Sequence, residues 1–179
     1  YSGASVPFKY KGANQTNLFD ADASTGDVVD QWDVQGSNTI AVATGEIAIT
    51  YVDDDAGALL YLRDSKDLTS DLTVGKRYRL TLDAEYAGGS SGSQIRVYDY
   101  SGHHYSGVLT TSMVNYAFEF TANHATGCYI RCHGMASSNV VHIDNMSLVP
   151  IGAVAEYDGS GVASDKWFDK SGNDLHGTV

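Results

Sequence analysis

NVVHIDNMSLVP, residues 139–150, alternates apolar and polar side chains with a single break. In an extended strand successive side chains point to opposite faces, so Val141 and Ile143 share one face and His142 and Asp144 the other. Met146 and Leu148 resume the apolar series with the parity changed, which predicts a bulge at Asp144 and Asn145. Pro150 has no amide donor and is expected to end the ladder. A strand with one oily face needs a second layer to cover it, and the rest of the chain is read for its partners.

The nearest relative of this pattern is RYRLTLDAEYA, residues 77–87. Tyr78, Leu80, Leu82 and Ala84 fall on one face, and Arg77, Arg79, Thr81, Asp83 and Glu85 on the other, as in an antiparallel sheet with one wet side. LTSDLTV, residues 68–74, with Gly75–Lys76 after it, is expected to form a long hairpin with that strand. Residues 94–100 set Ile95 and Val97 against Arg96, Tyr98 and Tyr100. Residues 115–122 align Tyr116, Phe118 and Phe120. Residues 127–134, GCYIRCHG, put Cys128, Ile130 and Cys132 inward and Tyr129, Arg131 and His133 outward, and the last strand is expected to pair back across residues 135–138. Earlier, residues 39–43, 46–52 and 58–63 are short β-rich runs, the first two joined by a Thr44–Gly45 turn and the next by residues 53–57. Around nine strands at this spacing describe an all-β, antiparallel β-sandwich.

Bulk properties agree. The 179 residues include 19 Gly, 12 Tyr and 2 Pro, suited to short strands and tight turns in a single core with short appendages. A formal net charge of −11 excludes nucleic acid and anionic membrane as natural partners, because both repel an acidic surface. No apolar run is long enough for membrane insertion. The chain begins at Tyr1, as expected of a processed product or a part of something longer. Cys128 and Cys132 are read as free, core-facing thiols, since an extended segment holds them too far apart for a disulfide.

The ends differ from the middle. Residues 1–16 carry Gly3, Pro7 and Gly12 without sustained alternation and read as an extended arm, anchored by Phe8 and Tyr10 or else disordered. The boundaries are therefore an N-terminal arm at 1–16, a sandwich at 17–150 and a C-terminal arm at 151–179. Within the sandwich, Trp32 is expected to cap the core. The acidic residues Asp20, Asp22, Asp27 and Asp30 offer carboxylates to calcium, or form a solvated acidic loop.

Chemistry is sought on the wet faces. Arg96, Tyr98, Tyr100, Tyr129, Arg131 and His133 share the polar side of neighbouring strands. They supply the aromatic rings and fixed polar groups that sugar binding needs, or else ordinary cross-strand Tyr–Arg pairs. The loop at residues 101–107 is another possible contact region. His103 and His104 point opposite ways in a strand and do not easily share a metal there; in a loop they could, but no third ligand stands at a recognisable spacing. Asp83 and Glu85 lie two apart on one wet face, with nothing to raise a pKa and no nucleophile nearby, so a non-enzymatic protein is expected.

From residue 17 to residue 150 the pattern resembles the carbohydrate-binding-module-like jelly rolls, also described as galactose-binding-like sandwiches. Asn17–Leu18, Trp32, LTVGKRYRLTLDAEY at 72–86, NYAFEFTA at 115–122 and VVHIDNMSL at 140–148 carry the resemblance. It implies a jelly roll with a structural calcium held by Asp144 and by groups near the first strand, for which Asp20 and Asp22 stand in position. Residues 151–179 are similar to the opening of a concanavalin-A-like or laminin-G-like lectin module, through Asp169, Ser171, Gly172, Asn173 and residues 176–179. Such joined modules look like those of phage tail fibres and related virion proteins. The expected function is thus a non-enzymatic virion structural protein, a phage tail-fibre or appendage subunit, located in the virion or outside the cell. Its terminal arms would mediate self-association or contact other virion proteins, and its sandwich would meet a cell-surface glycan. The alternatives are a carbohydrate-binding module of a secreted enzyme and a capsid decoration protein.

Overall fold

The computed structural model describes residues 16–26, 28–52, 58–88 and 92–152, and the backbone of 166–167 and 177–178. After a single helical turn, α1 (Ala21–Ser24), come β1 (Asp33–Val34), β2 (Thr39–Ala43), β3 (Glu46–Thr50), β4 (Ala58–Tyr61), β5 (Arg77–Ala87), β6 (Gln94–Tyr98), β7 (His103–Tyr105), β8 (Val114–Thr121), β9 (Tyr129–His133) and β10 (Val140–Ile151). They form two five-stranded antiparallel sheets, β1-β4-β9-β6-β7 and β2-β3-β10-β5-β8. The sandwich, Asn17–Val149, is one of two compact units of the chain. In the other unit β11 (Lys166–Trp167) pairs with β12 (Gly177–Thr178). The expected arm at 1–16 lies outside the described residues except for Thr16, as does most of 151–179; Asp27 and the turn at 53–57 lie outside them too.

Each sheet gives one face to the core. Ile47 and Ile49 of β3, Leu80 and Leu82 of β5, and Val141 and Ile143 of β10 are buried from one side, and Leu60, Ile95, Val97 and Ile130 from the other. Each such side chain withdrawn from water contributes about 1.5–3 kcal/mol. Trp32 caps this core at 5% exposure, and Cys128 and Cys132 are free thiols within it. Burial pushes the Cys132 thiol up to about 12, so it stays an inert apolar group.

The closing strand behaves as its alternation requires. Its register with β3 runs from Val140 opposite Thr50 to Ile143 opposite Ile47. Asn145 then takes φ +50°, a left-handed conformation that Asn tolerates better than most residues, and Met146 and Leu148 return to the core on the shifted parity. Pro150 does not end the strand, which runs one residue further to Ile151. Asn17 stitches the chain's opening onto the segment beyond the bulge. Its side-chain amide donates to Met146 O at 3.2 Å and accepts from Leu148 N at 2.8 Å, while Leu18 N donates to Leu148 O at 2.8 Å.

Two expected pairings are replaced. Residues 68–74 form no hairpin strand with β5, which pairs instead with β8 along its length. Leu68 and Leu72 are buried as loop anchors, and the segment spends its amides on other loops, Thr69 N on Leu18 O and Leu72 N on Ala125 O. Residues 135–138 do not turn β9 back on itself; they carry the chain across to β3 and β5 in the opposite sheet. Ser138 at φ +70° and the bonds Ser138 N to Tyr51 O and Tyr51 N to Asn139 O fix that crossing. Among the described residues the sandwich has ten strands rather than nine: the run at 68–74 is lost as a strand, and two- and three-residue runs, β1 and β7, complete the edges of one sheet.

Candidate functional site

The outer faces of the two sheets are chemically different. On the second sheet Glu119 takes Arg77 and Arg79, Asp83 takes the amides of Asn115 and Asn145, and His142 Nδ1 lies 2.8 Å from Glu46 Oε2. The first sheet carries rings.

Register builds those rings into a row. Tyr61 of β4 lies opposite Tyr129 of β9, Tyr129 opposite Tyr98 of β6, and Tyr98 opposite His103 of β7. The centroids are 5.6, 4.9 and 4.9 Å apart along this row, each pair tilted or edge-on as aromatic quadrupoles prefer. One step along the strands a second row runs Leu59, Arg131, Arg96, Tyr105. Tyr105 lies 5.1 Å from His133, and the Arg63 guanidinium sits 4.8 Å over the Tyr61 ring. Tyr100 and Tyr105 are about half exposed, at 51% and 46%.

The end of β6 is held by Asp99. Its Oδ1 accepts from Ser101 N at 2.8 Å and Gly102 N at 2.7 Å, and its Oδ2 accepts from His104 Nε2 at 2.9 Å. Burial pushes this carboxyl up, but His104 and the two amides outweigh it and hold it at about 2. The tight turn places Tyr100 at φ +76°, with its ring 4.3 Å from His124 and 6.0 Å from Tyr98. His103 and His104 point opposite ways as adjacent strand residues must, His103 to the ring row and His104 to Asp99.

No protein-family model matches the sequence, and no curated protein does. Solved structures do resemble the fold. The C-terminal family 22 carbohydrate-binding module of Clostridium thermocellum Xyn10B has a TM-score of 0.53 at 14% identity, over 75% of this chain and 99% of that one. The CBM22-1 xylan-binding domain of Paenibacillus barcinonensis Xyn10C has a TM-score of 0.52 at 11% identity, over 68% and 86%. A family 29 carbohydrate-binding module of Piromyces equi has 0.51 at 17%, over 78% and 91%. The sandwich has the fold of carbohydrate-binding modules. The tail-fibre and laminin-G-like resemblances have no counterpart in these three structures.

All six residues expected to meet a sugar on this sandwich, Arg96, Tyr98, Tyr100, Tyr129, Arg131 and His133, belong to β6, β9 or the turn after β6, and register brings them to one region. Sequence reasoning did not single out Tyr61 or Arg63, and it took in His103 and Tyr105 as contacts only within the loop at 101–107. Their signal was present in the alternation of LLYLR and HHY, where each falls on the outward parity.

Of the residues expected to hold calcium, Asp144 lies beside the turn after α1, its Oδ1 3.3 Å from where a Cβ on Gly26 would stand. Asp144 Oδ1 accepts from Asn145 N at 2.7 Å, and Asp22 Oδ1 accepts from Ala23 N at 2.9 Å at the start of α1. Asp20 precedes α1 and makes no side-chain capping bond. Among the described residues, the three-ligand cluster with donor atoms within 4.8 Å of one another is Glu46, Glu85 and His142, and none of Asp20, Asp22 and Asp144 belongs to it. Asp20 and Asp22 also act electrostatically on Asp67. Burial first, then the charges of Asp30, Asp22 and Asp20, push that carboxyl up to about 6, and its Oδ2 is buried without a donor.

Proposed function

We propose that the sandwich is a non-catalytic glycan-binding module that holds a polysaccharide along the row Tyr61, Tyr129, Tyr98 and His103. The observation that carries this is the register itself: four rings from four consecutive strands on one outer face. Three inter-strand steps of about 4.8 Å give a platform about 14 Å long, enough for a short run of sugar rings. Flat apolar faces stack on pyranose rings, and the flanking Arg and His groups hydrogen-bond hydroxyls. The nearby carboxylate, Asp99, is committed to two amides and His104, which supports binding without hydrolysis. Among similar folds, the Paenibacillus barcinonensis domain is described as xylan-binding.

This reading favours a carbohydrate-binding module, of the kind attached to secreted enzymes, over a fibre subunit. Assembly through terminal arms falls on residues outside the described set, and no described residue speaks for it. Affinity electrophoresis of the full chain through gels containing xylan, mannan, β-glucan or pectin tests the proposal. Retardation by at least one polymer, abolished in a Tyr98→Ala/Tyr129→Ala double variant, is expected. Unretarded migration through every gel would overturn it.

A further inference from the structure

The second row of the same face holds an electrostatic anomaly. Arg96 and Arg131 lie directly opposite each other on β6 and β9, at 8% and 9% exposure. Guanidinium groups are rarely buried unless paired, and two in register repel each other. Arg96 Nε is fully buried and has no hydrogen-bond acceptor. This happens in a chain with 22 acidic residues, where Lys66, Arg77 and Arg79 each find a carboxylate. Asp99, three residues on, is already committed to His104 and its turn.

The neighbouring imidazole feels both guanidinium charges. His103 is held below its usual range by desolvation first, and then by Arg96, Arg131 and His133, with Asp99 opposing. The face is therefore locally positive on a molecule of net charge −11.

We infer that the glycan held by the ring row carries carboxylates, so that the ligand class is a uronic-acid-containing polysaccharide whose carboxylate meets the Arg96 guanidinium. Arg96 and Tyr98 are two residues apart on one face of β6, about 7 Å along the strand. A sugar stacked on Tyr98 thus reaches Arg96 with a carboxylate carried on its own ring or the next. The fork of guanidinium donors matches a carboxylate, whose charge offsets that of the Arg96 guanidinium.

The inference rests on the glycan-binding reading, and one titration series separates their failures. Isothermal titration of the full chain compares polygalacturonate and glucuronoxylan with their carboxyl-reduced forms, alongside neutral xylan and mannan, at low and high NaCl. The carboxylate forms are expected to bind about tenfold tighter than the reduced forms, with the preference shrinking in salt. Arg96→Gln is expected to reduce the preference to less than about twofold, while Tyr98→Ala weakens both forms. Equal binding of the two forms, or a preference for the neutral one, overturns the carboxylate assignment and leaves the glycan reading standing. Binding to no polymer overturns both. Should Arg96→Gln fail to fold by circular dichroism, the salt dependence and the reduced-polymer comparison on the unaltered chain still decide.

Discussion

Tyr98 and Tyr129 face each other in register on β6 and β9 with ring centroids 4.9 Å apart, at the centre of a row that extends to Tyr61 on one side and His103 on the other. The central pair should matter most to ligand, because both neighbours of each ring are also rings. Tyr98→Ala is expected to weaken polysaccharide binding by about tenfold, the loss of a ring's stacking. Tyr98→Phe keeps the face and removes only the hydroxyl that donates to Tyr100 O at 3.3 Å, so its affinity should stay within about twofold. Titration calorimetry on both variants checks this; equal losses would mean that the hydroxyl, and not the ring face, carries the contact.

Asp99 positions the far end of that surface. Removing its carboxylate in Asp99→Ala strands the amides of Ser101 and Gly102 and the His104 ring, at an expected cost of about 2 kcal/mol in urea unfolding. The folded pKa of about 2 lies below the ordinary value of 3.8, so its contribution is present above about pH 4 and is lost as pH falls toward 2. Asp99→Asn should therefore show a shallower loss of stability than the unaltered protein between those two pH values. Parallel slopes would remove Asp99 from the acid response.

Much of this geometry is legible in the sequence. Residues 77–87 are β5 to the residue, and the parity change around Asn145 is a left-handed kink. Period two decides which face a side chain takes, and it puts Arg96, Tyr98, Tyr129, Arg131 and His133 on one outer face; Tyr100, expected on the same parity, sits in the turn beyond β6 at φ +76°. Partnership is a different quantity. Residues 135–138 look like a hairpin, yet the chain crosses there to the other sheet, because tertiary contacts of Tyr51 with Ser138 and Asn139 decide the path. The outward parity of Tyr61 and Tyr105 is readable in LLYLR and HHY, but their place beside Tyr129 and Arg96 depends on the order β4-β9-β6-β7, set by strands distant in sequence. The calcium expectation carries residue types over by position; in the structure Asp144 accepts from Asn145 N, Asp22 accepts from Ala23 N, and Asp20 and Asp22 act on Asp67.

Asn17 replaces a missing rung where β10 has bulged. It bonds Met146 O, Leu148 N and Phe19 N, two of them across 129 and 131 residues of chain. Asn17→Ala should cost about 2 kcal/mol, since it leaves partly buried backbone groups unsatisfied. Hydrogen exchange should speed up at Leu148 while Val141 and Ile143, beyond the bulge and paired to β3, keep their protection. Uniform acceleration along β10 would show that the bulge does not separate the strand into two independently held parts.

Asp67 is the acid most at odds with its surroundings. Its backbone is left-handed at φ +54°, its Oδ2 is buried without a donor, and Asp30, Asp22 and Asp20 add to burial in pushing it up to about 6. Below about pH 4 both the folded and unfolded chains hold this proton. Between about pH 4 and 6 the folded chain keeps a proton that the unfolded chain releases, so stability falls as pH rises through that window, and the full cost persists above it. Asn tolerates the same backbone and carries no charge. Asp67→Asn is therefore expected to stabilise the protein at pH 7 by about 1 kcal/mol, less than the full shift implies because water reaches part of the group, and to change nothing at pH 3.5. Thermal unfolding at the two pH values decides it: a variant no more stable at pH 7 than at pH 3.5, relative to the unaltered chain, would mean that the acidic neighbours are screened and Asp67 ionises freely.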